Sequence, residues 1–77
     1  MKLKQKQYNY PSRTIYELSW DDIVNKDEIQ DWCEKNFGMG GYNEETKTTR
    51  WVNSIQTGNS LMFLLEEDMI LFKLRWE

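Results

Sequence analysis

Apolar residues recur at two spacings along the chain, and each spacing predicts a different element. Residues 14–18 (T-I-Y-E-L) are rich in β-branched and aromatic side chains, which is typical of a strand. From Lys26 to Phe37 the apolar residues instead recur at intervals of three and four, which places them on one side of a helix. Asn25 and Gly38 flank this second segment and are residue types that cap the two ends of helices. The first half of the chain therefore predicts a strand followed by the main helix.

The second half of the chain predicts a hairpin. Residues 48–56 and 60–65 have the composition of strands, and the Gln-Thr-Gly-Asn cluster at 56–59 is typical of a turn. The second of these strands is apolar on both sides, so we expect it to be central in the sheet or to expose an apolar patch.

Earlier in the chain, Ser19 and Asp22 have the spacing of a helix-capping box, which predicts a helical turn after Ser19.

Residues 69–76 fit two interpretations. Ile70, Phe72, Leu74 and Trp76 alternate with other residues, including Lys73 and Arg75, and periodicity alone indicates a strand. However, three acidic residues at 66–68 stand where a helix N-terminus favours anions, and the two cations fall near the C-terminal end. A tight hairpin at this point would also lack the glycine that its turn requires. We therefore predict a C-terminal helix.

These elements predict one α+β domain at residues 14–77 with the order β-α-β-β-α. A small antiparallel sheet of about three strands would carry two helices on one face, a layout that resembles a ferredoxin-like fold without its last strand. Residues 1–13 form a basic N-terminal segment, either an edge strand, since lysines protect sheet edges, or a flexible arm. The predicted core comprises Ile15, Leu18, Ile23, Ile29, Trp32, Phe37, Ile55, Leu61, Phe63, Leu65, Phe72 and Trp76.

Composition excludes several kinds of active site. The 77 residues contain no histidine and one cysteine, which removes histidine-dependent catalysis, histidine-containing zinc sites and intrachain disulfides. No apolar run approaches the ~20 residues that cross a bilayer, and the N-terminus lacks the apolar region of a signal peptide. A lone cysteine fits a reducing compartment. We therefore expect a non-enzymatic cytoplasmic protein, with no cofactor, metal site or membrane partner.

Charge is distributed unevenly along a chain whose net charge is −3. Residues 1–16 contain four basic residues and no acid, and they interleave cations with tyrosines as nucleic-acid-binding surfaces do. Tyr16 or Trp51 would add aromatic rings on an open sheet face. The net negative charge weighs against this interpretation. The nucleic-acid-binding candidates are Lys2, Lys4, Lys6, Tyr8, Tyr10 and Arg13.

Residues 17–34 contain seven acids and a single lysine. Such a surface has two interpretations: it is a solvated helix face, or it presents carboxylates to a basic groove on a host enzyme. The residues of this acidic face are Asp21, Asp22, Asp27, Asp31 and Glu34.

The uncovered face of the sheet is the candidate protein-binding surface. Two helices cover only one face of a small sheet, which leaves the other for solvent or a partner. Val52, Met62 and Leu64 belong to that face, and an apolar surface containing methionine suits a protein interface. The alternatives are that the N-terminal segment folds across these residues or that a homodimer hides them.

Three other features have simpler structural explanations. The acidic run at 66–68 lacks the spacing of a calcium loop and suits a helix start. The glycines at 38–41 close a helix, whereas phosphate-binding glycines open one. Cys33 lies on the same side of the predicted helix as Ile29, so we expect an inert thiol in the core.

The ending F-L-L-E-E-D-M-I-L-F-K-L-R-W resembles the C-terminal ending of small uncharacterised proteins of large tailed bacteriophages. In those proteins a strand is followed by an acidic pair, a small residue and F-x-L-x-W. The likeness extends loosely through Arg50-Trp51 and residues 38–41 to Trp32-Cys33. The resemblance implies a phage origin, and with it the host cell cytoplasm as the location. It also implies a helical ending, and it brings no activity with it. The matching positions are Phe63, Asp68, Phe72, Leu74 and Trp76.

These observations lead to two hypotheses about function. The first is a non-enzymatic phage accessory protein that binds a host or phage protein to modulate or inhibit it. The alternative is a small nucleic-acid-binding protein that uses the basic N-terminal segment and the aromatic residues of the sheet.

Overall fold

The computed structural model describes residues 1–77 and contains six strands and three helices. The strands β1, β2, β6 and β5 form an antiparallel sheet in that spatial order, and β3 and β4 form a separate two-stranded ribbon. In chain order the elements are β1 (Lys4–Tyr10), β2 (Arg13–Ser19), α1 (Lys26–Phe37), β3 (Tyr42–Asn43), β4 (Thr48–Thr49), β5 (Trp51–Ser54), α2 (Ile55–Gly58), β6 (Ser60–Phe63) and α3 (Glu66–Trp76). The α+β class and the antiparallel sheet are confirmed, whereas the expected strand number and the order β-α-β-β-α are wrong.

The N-terminal segment accounts for the largest difference. β1 pairs with β2 over its whole length, from Lys4 opposite Ser19 to Tyr10 opposite Arg13. The hairpin closes through the Pro-Ser turn at 11–12, where the fixed φ of proline suits a turn. The segment is therefore an edge strand and not a flexible arm. Its pattern of lysines and glutamines hides this role, because an edge strand buries little apolar surface.

Local caps fix both ends of α1. The Asn25 side-chain oxygen accepts a hydrogen bond from the backbone N–H of Glu28 at 3.1 Å. At the other end Gly38 has a φ of 81°, and its N–H donates to the carbonyl of Glu34 at 3.0 Å. Positive φ is accessible to glycine at no steric cost. The predicted bounds of this helix, Lys26 to Phe37, are confirmed.

The helical turn predicted after Ser19 does not form. Ser19 ends β2, where it pairs with strands on both sides, and the Asp22 carboxylate accepts the backbone N–H of Lys2 at 2.8 Å. Because residues 20–25 form a loop instead, Ile23 is fully exposed, and its predicted place in the core is wrong. Leu65 is also exposed, since β6 ends at Phe63 and Leu65 is the residue just before α3.

The core lies between one face of the sheet and the helices α1 and α3. Phe72 of α3 stands 5.8 Å from Phe63 of β6 and 6.0 Å from Trp32 of α1, measured between ring centroids. Aromatic rings from three elements thus pack edge-to-face or tilted, as quadrupolar rings prefer. Eleven apolar residues are buried and form this core: Leu18, Trp20, Ile29, Cys33, Phe37, Trp51, Ile55, Leu61, Phe63, Met69 and Phe72.

The observed core differs from the predicted one in both directions. Trp20, Trp51 and Met69 were not among the predicted core residues. Trp32 and Trp76, which were predicted to be buried, are half-buried at the edge of the core. The predicted core residue Ile15 is also only half-buried, because it lies on the opposite face of the sheet.

The C-terminal segment is a helix, as predicted. Three acidic residues occupy the first turn of α3, and Lys73 and Arg75 lie in its last turn. Both groups complement the helix dipole. One of the acids, Asp68, is buried and pairs with Arg50, the residue between β4 and β5. This pair ties the start of α3 to the neighbouring strands.

Candidate functional site

The open face of the sheet is the face opposite the helices, and the strand register defines its composition. Its side chains form three rows across the strands, because residues alternate between the two faces of a sheet. None of the apolar side chains in these rows packs against the core. The first row is Tyr8 and Ile15 with Leu64 beside them, the second is Lys6, Glu17, Met62 and Val52, and the third is Lys4, Ser19, Ser60 and Ser54.

This arrangement gives the open face an apolar centre and a polar rim. Val52, Met62 and Leu64 are all half-buried, and the structure brings these three predicted residues together. The N-terminal segment does not fold across them, because it lies in the sheet as β1. An uncovered apolar centre with a polar rim is the usual anatomy of a protein interface.

The charged groups of the open face are mainly basic. Lys6 and Arg13 are exposed on it, and Lys4 forms an ion pair with Asp21 at its border. Glu17 is the acidic residue of this face and lies opposite Lys6; the Tyr8 hydroxyl donates to its carboxylate at 3.4 Å. A partner for this face would therefore carry acidic groups around an apolar centre.

Five of the six nucleic-acid-binding candidates lie on the open face, and the sixth lies outside it. Lys4, Lys6, Tyr8, Tyr10 and Arg13 all lie on the open face, since they occupy alternate positions on the two strands of the N-terminal hairpin. Lys2 lies before β1, where its backbone N–H contacts Asp22.

The two additional aromatic residues proposed for the open face are on the other side of the sheet. Trp51 is completely buried, and its indole N–H donates to the carbonyl of Gly38 at 2.9 Å. Tyr16 lies on the helix side, where its hydroxyl donates to Glu66 of α3 at 3.3 Å. Desolvation and the Glu66 carboxylate together raise the pKa of Tyr16. The expectation that these two rings would be exposed on the open face is therefore wrong.

The acidic residues form two separate groups, each with partners inside the chain. Asp21 and Asp22 precede α1 and contact the N-terminal residues Lys4 and Lys2. The remaining three lie on the outer side of α1: Asp27 accepts a hydrogen bond from the Gln56 amide, Asp31 pairs with Lys35, and Glu34 accepts from Gln30. The Lys35–Asp31 hydrogen bond raises the pKa of Lys35.

A basic groove is present that the sequence analysis missed. It has a volume of about 700 Å³ and lies between the ribbon β3–β4, the start of β2 and the segment after β6. Three cations line it, and no acidic residue does. The lining residues are Arg13, Tyr42, Lys47, Thr48, Thr49, Arg50, Leu64 and Leu65. The sequence signal for it is the run Lys47-Thr48-Thr49-Arg50, of which residues 48–50 were interpreted only as part of a strand.

Arg50 is held in this groove by the carboxylate of Asp68. Its Nε and Nη2 atoms donate to the two carboxylate oxygens at 2.8 and 3.1 Å, a bidentate geometry. The hydrogen bond to Asp68 raises the pKa of Arg50, and the nearby Glu67 acts in the same direction. All three cations are exposed, but Arg50 is fixed and partly neutralised by its carboxylate partner, whereas Arg13 and Lys47 form no ion pair.

Cys33 lies inside the core and is not part of any surface site. Its thiol has no solvent exposure, and burial raises its pKa to about 12. Since the thiolate is the reactive form, the cysteine is chemically inert near neutral pH, as expected. The structure holds no group of three acidic or cysteine side chains placed to bind a metal ion.

The outer side of α3 carries a second apolar surface that sequence reasoning missed. Ile70 is 45% exposed, Leu71 is 43% exposed and Leu74 is 79% exposed. Leu71 follows Ile70 directly, and Leu74 lies four positions after Ile70 and three after Leu71. The three side chains therefore form one continuous stripe on the helix. This stripe faces away from the core and the open face.

Comparisons with known proteins add no relationship to this picture. No protein-family model, no curated protein and no solved structure matches the chain. No helix of the structure has the length and apolar character needed to span a membrane. The surfaces described above are therefore the basis for assigning a function.

Proposed function

We propose that this chain is a non-enzymatic accessory protein of a phage that binds another protein through the open face of its sheet and modulates or inhibits that protein. The observation that carries the proposal is the uncovered apolar centre of that face, formed by Val52, Met62 and Leu64 together with Ile15. Contiguous apolar surface is uncommon on the exterior of a monomeric protein and is enriched at interfaces. The phage origin is supported by the resemblance of the C-terminal ending.

The partner surface is an acidic one with apolar side chains at its centre. Lys6 and Arg13 border the apolar centre, and Glu17 is the acid directly opposite Lys6. Complementary charge would orient the partner and raise the rate of association, whereas apolar burial would supply affinity. Increasing the salt concentration would therefore slow association more than it would speed dissociation.

Affinity capture from a lysate of the bacterial host tests the proposal. The wild-type protein and a Met62→Asp/Leu64→Asp variant serve as baits, and Ile23→Asp is the matched control because Ile23 is an exposed apolar residue of the loop before α1 and is not part of the open face. We expect an acidic protein that is retained by the wild type and by the control and is lost with the double variant. Circular dichroism of each bait establishes that it is folded. Equal capture by all three baits, or capture by none, would contradict the proposal.

The connection between the strands of the sheet suggests a more specific fold. α1 connects β2 to β5, and β6 lies between these two strands, which is the arrangement of a split β-α-β unit. We infer a relationship to ferredoxin-like folds in which the N-terminal strand β1, and not a C-terminal strand, completes the sheet. This arrangement supports a sheet face left free for binding.

A second candidate function, binding of single-stranded nucleic acid, is favoured by the basic groove. The groove combines the cations Arg13 and Lys47 with the exposed ring of Tyr42, and such combinations bind phosphates and stack on bases. A smaller depression of about 400 Å³ continues from Arg13 to Tyr10. The path from Tyr10 past Arg13 to Tyr42 thus alternates aromatic rings with cations.

Fluorescence anisotropy with a labelled oligothymidine tests this second candidate. We expect saturable binding at low salt that Lys47→Ala weakens, while Lys35→Ala, which removes the same charge from the outer side of α1, has no effect. Binding that is absent at low salt, or that responds equally to both substitutions, would exclude the groove as a nucleic-acid site.

A further inference from the structure

The basic groove is continuous with the apolar centre of the open face. Arg13 and Leu64 line the groove, and the strand register places the same two residues on the open face. Val52 and Met62 lie beyond Leu64 on that face, so the cations of the groove and the apolar centre belong to one surface. A protein held on the open face therefore has its edge at the mouth of the groove.

One cation of the groove is fixed in orientation before any ligand binds. Asp68 is only 4% exposed, and its carboxylate accepts hydrogen bonds from the Nε and Nη2 atoms of Arg50. A guanidinium group carries five N–H donors, so two are used by Asp68 and three remain for a ligand. Because the buried carboxylate already orders this side chain, an anion that binds Arg50 loses little side-chain entropy.

Lys47 lies in the turn of the ribbon β3–β4 in a conformation that lysine rarely adopts. Its φ is 58°, in the left-handed region that glycine and asparagine enter at a lower cost. Its backbone N–H donates to the carbonyl of Asn43 at 2.7 Å, which closes the turn. The side chain lines the groove and forms no ion pair. A lysine at a position that suits other residues better points to a role for its charge.

We propose that the groove binds an extended segment of the partner protein in which acidic residues alternate with apolar ones. Its carboxylates pair with Arg13, Lys47 and the remaining N–H groups of Arg50. An apolar side chain packs beside Leu64 and Leu65, and the partner continues past Leu64 onto the open face. The volume of about 700 Å³ is in the range of sites that enclose a small ligand. The inference rests on the proposed function, because it concerns how the same partner is held.

The chemistry of the groove favours such a peptide over a nucleic acid. Leu64 and Leu65 give the groove an apolar wall, beside which a phosphate would lose hydration without gaining a hydrogen bond. Glu67 is near enough to Arg50 to raise its pKa, so the dense charge of a nucleic-acid backbone meets repulsion that spaced carboxylates avoid. The net charge of −3 acts in the same direction. A peptide that separates its acids with apolar residues complements both the cations and the wall.

Fluorescence anisotropy with a labelled hexapeptide of alternating glutamate and leucine tests the proposal. We expect saturable binding that Lys47→Asn weakens at least about tenfold, because the variant loses a charge-assisted contact. Asparagine tolerates the positive φ of this position, so the ribbon should keep its conformation. Lys35→Gln, which removes the same charge from the outer side of α1, should leave the affinity unchanged. Absence of saturable binding up to millimolar peptide, or equal effects of the two substitutions, would overturn the proposal.

A second variant tests the apolar wall without endangering the fold. Leu65 occupies the N-cap position of α3, where aspartate is a preferred residue, so the Tm of Leu65→Asp should not fall. The same substitution removes an apolar contact and places a negative charge in the groove. It should therefore weaken binding of the hexapeptide at least about tenfold. Unchanged binding to this folded variant would mean that the peptide does not occupy the groove.

Two further measurements separate the groove from the open face and from nucleic acid. Met62→Asp alters the open face and not the groove, so it should bind the hexapeptide like the wild type whether or not the open face holds a partner. Loss of peptide binding in Met62→Asp would locate the peptide on the open face and contradict the proposal. Displacement of the hexapeptide by oligothymidine at physiological salt would contradict it in favour of the second candidate function. Failure of the lysate capture does not decide these results, and their failure leaves the open-face test intact.

Discussion

Burial sets the chemistry of individual side chains in this protein. Cys33 and Asp68 are both buried, but their environments differ. The Asp68 carboxylate is paired with the guanidinium of Arg50, whereas the Cys33 thiol is enclosed by the apolar core. A charged group without a partner is costly in such surroundings, so the thiol remains protonated and the carboxylate retains its cation.

The raised pKa of Cys33 makes stability depend on pH at the alkaline end. The pKa in the folded chain is about 12, compared with 9.0 for a free thiol, so the folded state holds the proton more tightly. The free energy of unfolding should therefore fall as the pH rises above 9, by at most about 1.4 kcal/mol per pH unit from this group. Urea unfolding at several pH values measures this slope.

The control for this prediction is Cys33→Ala. Tyr16 and Lys35 also have raised pKa values, so their deprotonation likewise lowers the free energy of unfolding at alkaline pH. The slope of the wild type alone therefore does not isolate the contribution of Cys33. Since both residues are present in the variant, the difference between the two proteins isolates the thiol. Identical slopes for wild type and variant would show that Cys33 does not titrate in this way.

Residue burial could be predicted only where it follows from local periodicity. Ile29 and Phe37 were predicted from the helical spacing and are buried. Ile23 was predicted from a helical turn that the longer pairing of β2 prevents, because Ser19 is engaged by two neighbouring strands. Trp51 was expected on the open face because its side of the strand depends on a register set by β6, which no local pattern specifies.

At the scale of elements, caps explain why α1 was predicted with correct bounds. The Asn25 side chain and the positive φ of Gly38 are properties of single residues next to the helix, so they are visible in the sequence. α3 was harder to assign because its apolar residues alternate. In a helix such alternation distributes apolar residues around all sides, and the exposed stripe on α3 is the direct result.

The Asn25 cap should contribute measurably to stability. Asn25→Ala removes the acceptor for the backbone N–H of Glu28, so we expect the free energy of unfolding to fall by about 1 kcal/mol. Asn36→Ala is the matched control, because it removes an exposed asparagine from the interior of the same helix, where its amide donates to the Trp32 carbonyl and caps no free N–H, and alanine favours helical structure. Chemical denaturation measures both. Similar losses for the two variants would mean that the cap adds nothing specific.

At the scale of the whole molecule, charge and apolar surface are separated between two sides. The helix side carries the outer acids of α1, while the open face carries Lys6 and Arg13 around its apolar centre. The sequence predicted a basic N-terminal segment beside an acidic helix, which is the origin of this separation. It did not predict which surfaces would be exposed, because that depends on β1 joining the sheet and on α3 lacking a neighbour.

The position of β1 implies that the basic N-terminal segment is structural as well as charged. Deleting residues 1–10 removes the edge strand and the contacts of Met1 and Leu3 with the core, and it leaves the edge of β2 unpaired. We expect a loss of at least about 2 kcal/mol, roughly 10 °C in Tm for a domain of this size, together with aggregation. Scanning calorimetry and light scattering measure these effects.

Neutralising the charge without removing the strand separates the two roles of this segment. A Lys2→Gln/Lys4→Gln/Lys6→Gln variant keeps the backbone pairing of β1, so its Tm should stay close to the wild-type value. The variant also loses the Lys4–Asp21 ion pair, but this pair is exposed and therefore contributes little to stability. If instead the truncated protein melts like the wild type and remains monodisperse, β1 is not required for the fold. Any loss of binding seen with the lysine variant can then be assigned to charge, whereas the same loss after truncation would also follow from unfolding of the sheet.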